Sequence, residues 1–407
     1  MRSISKPAPV AVVDLFAGAG GMSLGVEAAG GQVVLAVESD RNTVRTYASN
    51  HPHVRVINDR ITSGWNIVEK LREHLPSPKC DLLVGGPPCQ GWSTLGGRSS
   101  RAQRRKFNAC VDYFLNQVEL LRPAAVLMEN VQGLAVRDKG IHLAQVEERL
   151  DELGYTVTSD VVCAADHGVP QLRKRLFVVA LRSSLSFKYE FPKRRFAGMS
   201  RRTVWDAIGD LPEIPAGGVA LAYSGPSKTY LQRSLRGQER RLTWHEAPAH
   251  SERTMSILRA LSSEGASRQE IEEEMGLTSG FHNTYCRLRS NEPATAVTSS
   301  AGRISSGRNA HPVANRALTP REAARLQTFP DQYQWIGDRF QVYRQIGNAV
   351  PPLLAKAIAA PLIQILTESR KPRIPAAGKE LRRRLEIKFP MCEFSRHELG
   401  EADSGEI

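Results

Sequence analysis

None of the six cysteines (Cys80, Cys89, Cys110, Cys163, Cys286, Cys392) pairs with another as C-x-x-C in this 407-residue chain. That spacing argues against a disulfide framework or a cysteine zinc site, and a reducing compartment is expected. No stretch approaches the roughly 18 uninterrupted apolar residues of a membrane span, and the opening "MRSISKPAPV" has no apolar signal-peptide core. Internal repeats are absent as well. Acidic residues are the scarcer charge: 42 stand against 55 lysines and arginines, for a net charge of +13. Such an excess suits a polyanionic partner, although solubility alone would also account for it.

The chain is too long for one ordinary core, so a large domain, a smaller one and a tail are expected. Its first half alternates short apolar runs with amphipathic ones, from "PVAVVDLF" and "GMSLGVEAAG" to "AAVLMEN" and "IHLAQVEERLDELG". This is the rhythm of a parallel sheet covered on both faces. "YTVTSDVVCA" and "RLFVVAL" follow with no helix between them, which predicts an antiparallel pair at one edge. Across residues 181–291 the rhythm weakens into a loop-rich unit. It returns at "LTPREAARLQTF", where Thr319 is placed to cap a helix, Pro320 suits its first turn and Glu322 completes a capping box. "NAVPPLLAKAIAAPLIQIL" reads as a buried helix with Pro351 and Pro352 near its start and a kink at Pro361. The predicted division is 1–183, 184–338, 339–368 as a returning C-terminal helix, and 369–407 as a flexible tail.

"VVDLFAGAGGMSLG" is a strand, a glycine-rich turn and a helix, so backbone can approach a nucleotide-like ligand at Gly18 and Gly20. Glu38 ends the next strand, where an acidic residue commonly takes ribose hydroxyls. A nicotinamide dinucleotide would fit this much equally well. In "CDLLVGGPPC" a proline-stiffened loop delivers the Cys89 thiol to the carboxyl edge of the sheet, where open α/β folds bind ligands. A free cysteine is also commonly a small buried hydrophobe.

"DLFAGAGGMSLG", "VESD", "GGPPCQGWS", "MENV", "GVPQLRKR", "LTPREAARLQTFPD" and "QIGNAVPP", in this order, closely resemble the sequential motifs of the DNA (cytosine-5) methyltransferases. The resemblance spans essentially residues 10–365 apart from the variable middle. It implies the class I S-adenosylmethionine-dependent methyltransferase fold, a Rossmann-like doubly wound α/β sheet with a smaller loop-rich target-recognition domain. It also implies that Cys89 is the nucleophile, that Glu129 acts on N3 of the cytosine, that Arg175 contacts the cytosine carbonyl or the cysteine environment, and that Arg173 supports the site. For the cofactor, S-adenosylmethionine with no metal, it implies Phe16 on the adenine, Gly18 and Gly20 near the methionine part, Glu38 on the ribose and Asp59 on the adenine amino group. Pro88 and Asn348 lie close by. Ser39 departs from the family pattern, because a bulky apolar residue is usual there.

The chemistry agrees with these assignments. Carbon 5 of cytosine is a poor nucleophile until a thiolate adds at carbon 6, and a carboxyl group in a partly desolvated pocket eases that addition at N3. The base must leave the duplex to be reached. After Cys89, "QGWSTLGGRSSRAQRRKF" suits a mobile loop closing over phosphates, with Arg98, Arg101 and Arg105 as candidates. By resemblance Gln90 and Ser93 face DNA. The expected partner is double-stranded DNA, bound by a monomeric, cytoplasmic, nucleoid-associated bacterial protein that belongs to a restriction-modification system and so pairs with an endonuclease. A transfer-RNA-modifying enzyme, a silent DNA-binding homologue and a nicotinamide-dependent oxidoreductase are the competing readings.

Overall fold

Val10–Leu15 (β1) is buried at every position. The strand has neighbours on both sides and helices on both faces, so an uninterrupted apolar run is what its place demands. The computed structural model describes residues 8–88, 101–277 and 283–370, without the side chains of residues 101–108 and 199. The further strands are Gly31–Glu38 (β2), Arg55–Asn58 (β3), Leu82–Gly85 (β4), Ala125–Val131 (β5), Tyr155–Cys163 (β6) and Lys174–Arg182 (β7). They lie in the order β3-β2-β1-β4-β5-β7-β6. β1 to β5 pair in parallel, whereas β7 runs antiparallel to both β5 and β6. The connection from β6 to β7 holds only a short 3-10 turn at Ala164–His167. It lacks the crossover helix that a parallel return needs, so the chain comes back antiparallel at the edge, as the sequence predicts.

Gly21–Ala28 (α1), Arg41–Asn50 (α2), Ile67–His74 (α3), Arg101–Leu121 (α4), Gly133–Val136 (α5) and Ile141–Glu152 (α6) follow their strands. One face of the sheet buries Ile67, Leu71, Phe114, Val118 and Leu150 from α3, α4 and α6. The other is covered by α1 and by a helix from the far end of the chain, Pro352–Ser369, which contributes Leu354, Ile358, Leu362 and Leu366. Their spacing of four places all of them on one helical stripe. This burial accounts for a helix apolar enough to cross a membrane by composition alone. Pro361 sits within it.

The remainder of the described residues up to Thr367, which pack as one unit, builds little regular structure. Short helices Val204–Ile208 (α7), Tyr230–Arg236 (α8), Glu252–Ala260 (α9), Arg268–Ile271 (α10) and Pro320–Leu326 (α11) precede Arg339–Asn348 (α12) and the Pro352–Ser369 helix (α13). Isolated bridges such as Val219 with Glu246 and Ala222 with Arg241 take the place of a second sheet. Irregular buried backbone leaves carbonyls that need donors, and buried arginines supply them. Arg287 donates to the carbonyls of Leu258, Leu261, His311 and Ala314. Arg316 reaches Ile214 O and grips both oxygens of Glu322 at 2.7 and 2.8 Å. Arg325 lies between Asp210 and Asp331, with the latter 2.6 Å away. The predicted cap of α11 is present: Thr319 accepts from the Glu322 amide, and the Glu322 carboxylate accepts from the Thr319 amide at 2.8 Å. The tail beyond residue 370 lies outside the described residues.

Candidate active site

β1 ends in a turn that only unusual backbone can make. Phe16 has φ +57°, although it is not glycine, and Gly18 and Gly20 have φ +54° and +91°. A β-carbon on Gly20 would stand 2.8 Å from both His51 Nε2 and the Tyr333 hydroxyl, so the position admits no side chain. The Gly18 amide donates to Glu38 Oε2 at 3.0 Å, and the Ser39 and Asp40 amides donate to Oε1 at 2.8 Å each. The carboxylate is thereby fixed where the turn meets the end of β2. Asp59 lies alongside: its amide donates to the Glu38 carbonyl, and its Oδ2 accepts from Trp65 Nε1 at 2.8 Å. A half-buried aromatic ring at Phe16, open space at Gly18 and a fixed carboxylate at Glu38 suit a nucleoside with free ribose hydroxyls. Ser39 is exposed and turns its hydroxyl towards Glu38, so it adds no stacking surface. Pro88, on the loop after β4, and Asn348, at the end of α12, are exposed.

The second half of the site is built on β5 and β7. Glu129 stands on β5 opposite Phe177, and Arg175 pairs with Val131 two positions along. Glu129 Oε1 accepts from Arg175 Nε at 2.9 Å, with both side chains mostly buried. Burial raises the Glu129 pKa above the usual carboxylate range, and the opposing charges of Arg175 and Arg173 only partly offset it. Asn130 Nδ2 donates to Pro87 O at 3.2 Å, and its Oδ1 accepts from the Val131 amide. A β-carbon on Gly86 would lie 3.3 Å from Glu129 Oε2. The loop leaving β4 therefore passes directly over the carboxyl group. Cys89, Gln90, Ser93 and Arg98 lie outside the described residues, as do the side chains of Arg101 and Arg105 on α4.

Arg173 has different work from Arg175. It is buried and donates to Val297 O at 2.9 Å, to Gly347 O at 2.9 Å and to Ala349 O at 3.1 Å. It holds the loop before Thr298 against the end of α12, where a β-carbon on Gly347 would come within 2.2 Å of the Thr298 and Ser299 backbone. Tyr333 and Asp14 escaped the sequence reading. Tyr333 donates to the Ala19 carbonyl behind the turn, and no local pattern announces it. Asp14 was legible only as the polar residue inside an apolar strand. It is fully buried, accepts from Ser23 Oγ at 2.6 Å, and burial lifts its pKa to about 7.

A family model for C-5 cytosine-specific DNA methylase matches residues 10–364. The chain belongs to that family. This C-5 cytosine-specific DNA methylase is 34% identical to Type II methyltransferase M1.HphI of Haemophilus parahaemolyticus over 87% of each chain. It is 33% identical to Type II methyltransferase M.AgeI of Thalassovita gelatinovora, over 85% of this chain and 97% of the relative. Among solved structures, one described as a DNA modification methyltransferase encoded within an E. coli prophage superposes with a TM-score of 0.70. It is 26% identical and covers 88% of this chain and 99% of its own. S. pombe Dnmt2 methyltransferase, 17% identical with a TM-score of 0.51, shares the fold. The methylase has the class I methyltransferase fold and the activity of a DNA cytosine-5 methyltransferase. Its irregular half also forms one side of a cleft of about 870 Å³, lined by Trp244, His250, Arg253, Arg303, Phe340 and Arg344 among others. The Arg303 guanidinium lies 5.1 Å above the Phe340 ring.

Proposed function

We propose that this methylase extrudes a cytosine from duplex DNA, adds the Cys89 thiolate to carbon 6 and methylates carbon 5. The observation that carries this reading is the buried Glu129, with its raised proton affinity, beneath the Gly86–Pro88 loop that leads to Cys89. Glu129 gives a proton or hydrogen bond to N3 as the carbon–sulfur bond forms, so the ring accepts the thiolate's electron pair without building a full negative charge. Arg175 steadies the carboxyl group and presents a cation beside the ring. S-adenosylmethionine, when bound, supplies an electrophilic methyl group. Phe16, Gly18, Glu38, Asp59 and Asn348 are the residues that would hold it. Transfer of the carbon 5 proton to water, with return of the N3 proton to Glu129, gives electrons back to the ring and expels the sulfur, restoring the thiolate.

Duplex DNA is read by residues 184–338 and runs along the arginine-lined cleft, whose cations face phosphates. The names of the relatives support a Type II restriction-modification role and pairing with an endonuclease, with the enzyme acting as a monomer on cytoplasmic DNA. Incubation with S-adenosylmethionine and a randomised duplex pool containing 5-fluorocytosine tests the mechanism. Fluorine cannot leave as a proton, so a covalent adduct mapping to Cys89 is expected. Absence of an adduct on any duplex would overturn the reading.

A further inference from the structure

We propose that Glu27, His51 and His53 form a divalent metal site of the zinc class behind the glycine turn. Glu27 lies near the end of α1, His51 caps α2, and His53 follows on the connecting loop. One ligand atom from each falls within 4.8 Å of the others. The side-chain exposures are 1% for His51, 20% for Glu27 and 56% for His53, so an ion has both a buried anchor and a path from solvent.

The neighbouring contacts set the three side chains in place. The Tyr333 hydroxyl donates to the Ala19 carbonyl, and a carbonyl can only accept. The Tyr333 oxygen also lies 3.3 Å from His51 Nε2. His51 Nδ1 faces Glu27 Oε2 at 3.0 Å. A carboxylate flanked by imidazole nitrogens can share either protons or a divalent cation with them. The other carboxylate oxygen already meets His53 Nε2 at 2.6 Å.

Two imidazole nitrogens and one carboxylate, with a fourth position open to water, make a ligand set that zinc accepts. Tetrahedral bonds of about 2.0–2.2 Å set ligand atoms about 3.3 Å apart, so His53 Nε2 and the Glu27 oxygen, now 2.6 Å apart, would have to part by roughly 0.7 Å. The exposed His53 ring can make that movement. His51 also has the outer partner that a ligating histidine ordinarily keeps, since its Nε2 faces the Tyr333 hydroxyl. The same nitrogen stands 2.8 Å from the position a Gly20 β-carbon would take. An ion that fixes the His51 ring therefore also fixes the wall behind Ala19 and Gly20.

Untagged full-length protein, dialysed against chelator, is titrated with Zn²⁺ by calorimetry and with Co²⁺ by visible absorption. One ion per chain is expected, together with Co²⁺ d–d bands and at least about tenfold weaker binding in both His53→Ala and Glu27→Gln. His53 is exposed, so its replacement leaves the fold intact, which circular dichroism checks. Absence of saturable one-to-one binding, or binding unchanged in His53→Ala, would overturn the proposal and leave Glu27 joined to its two histidines by hydrogen bonds alone. A second expected result, tighter binding of S-adenosylhomocysteine by the Zn²⁺-loaded protein, rests on the cofactor reading above, whereas the stoichiometry does not. Equal S-adenosylhomocysteine affinity with and without Zn²⁺ would refute the coupling between the two sites, whereas no S-adenosylhomocysteine binding in either form would overturn the cofactor reading.

Discussion

At the scale of single residues, the account turns on carboxyl groups kept from water. Glu129 must bear a proton to assist at N3, and burial raises its pKa. On the proposed mechanism the protonated form is needed and is lost as pH rises through that raised value, so an alkaline limb of the methylation rate is expected from Glu129. Glu129→Gln should lower the rate by about 10²–10⁴-fold and remove that limb, measured by single-turnover kinetics across pH. Asp14 makes a stability prediction. Its folded pKa of about 7 exceeds the ordinary value of 3.8, so the folded state holds a proton that the unfolded state has released between those limits. Stability from this group is complete below pH 3.8 and is lost progressively up to about pH 7, for a total of about 4 kcal/mol. Asp14→Asn, which never ionises, should gain on the wild type by roughly 2–3 kcal/mol between pH 5 and pH 8 in denaturant titrations. Identical pH slopes for the two proteins would refute it. The glycine turn and Glu38 were legible in the sequence because their constraints are local. The positive φ of Phe16 was not, because nothing in a phenylalanine codon position marks a left-handed backbone.

At the scale of elements, legibility followed whether a signal was local. The cap of α11 lies within four consecutive residues, Thr319 to Glu322, and the absence of a helix before β7 could be read directly. The brace around α11 could not. Arg325 finds Asp210 and Asp331, Arg316 finds Ile214 O, and Arg321 finds Thr243, all partners that only folding assembles. Arg325→Met should cost about 3–5 kcal/mol, because it leaves Asp210 and Asp331 buried with their main countercharge removed. A chemical denaturation midpoint unchanged from wild type would contradict the structural role given to this arginine. Gly347→Ala tests the joint held by Arg173. Its methyl group would meet backbone atoms at 2.2 Å, which cannot swing aside as a side chain could, so about 1–3 kcal/mol of destabilisation is expected. DNA affinity should fall with it, since the displaced Thr298–Ser299 backbone adjoins the arginine-lined cleft.

At the scale of the whole molecule, the excess of 13 positive charges is what the proposed binding of duplex DNA calls for, and Arg253 and Arg303 in the cleft beside α12 are the cations proposed to meet phosphates. Arg253→Ala and Arg303→Ala should each weaken duplex binding across all sequences and reduce the slope of log affinity against log salt by about 1. The doubly wound sheet was legible because strand and helix periods alternate over its full length. The irregular half showed itself only as a loss of rhythm, since buried arginine-to-carbonyl bonds leave no periodic trace. The central claim remains the addition of sulfur to an extruded cytosine ring. It is tested most directly by base-resolution mapping and mass spectrometry of DNA from methylation-free cells expressing either the wild type or Cys89→Ser. The account predicts 5-methylcytosine at one short recurring sequence with the wild type and none with Cys89→Ser. Methylation persisting in the variant, or a label on the exocyclic amine instead of carbon 5, would contradict it.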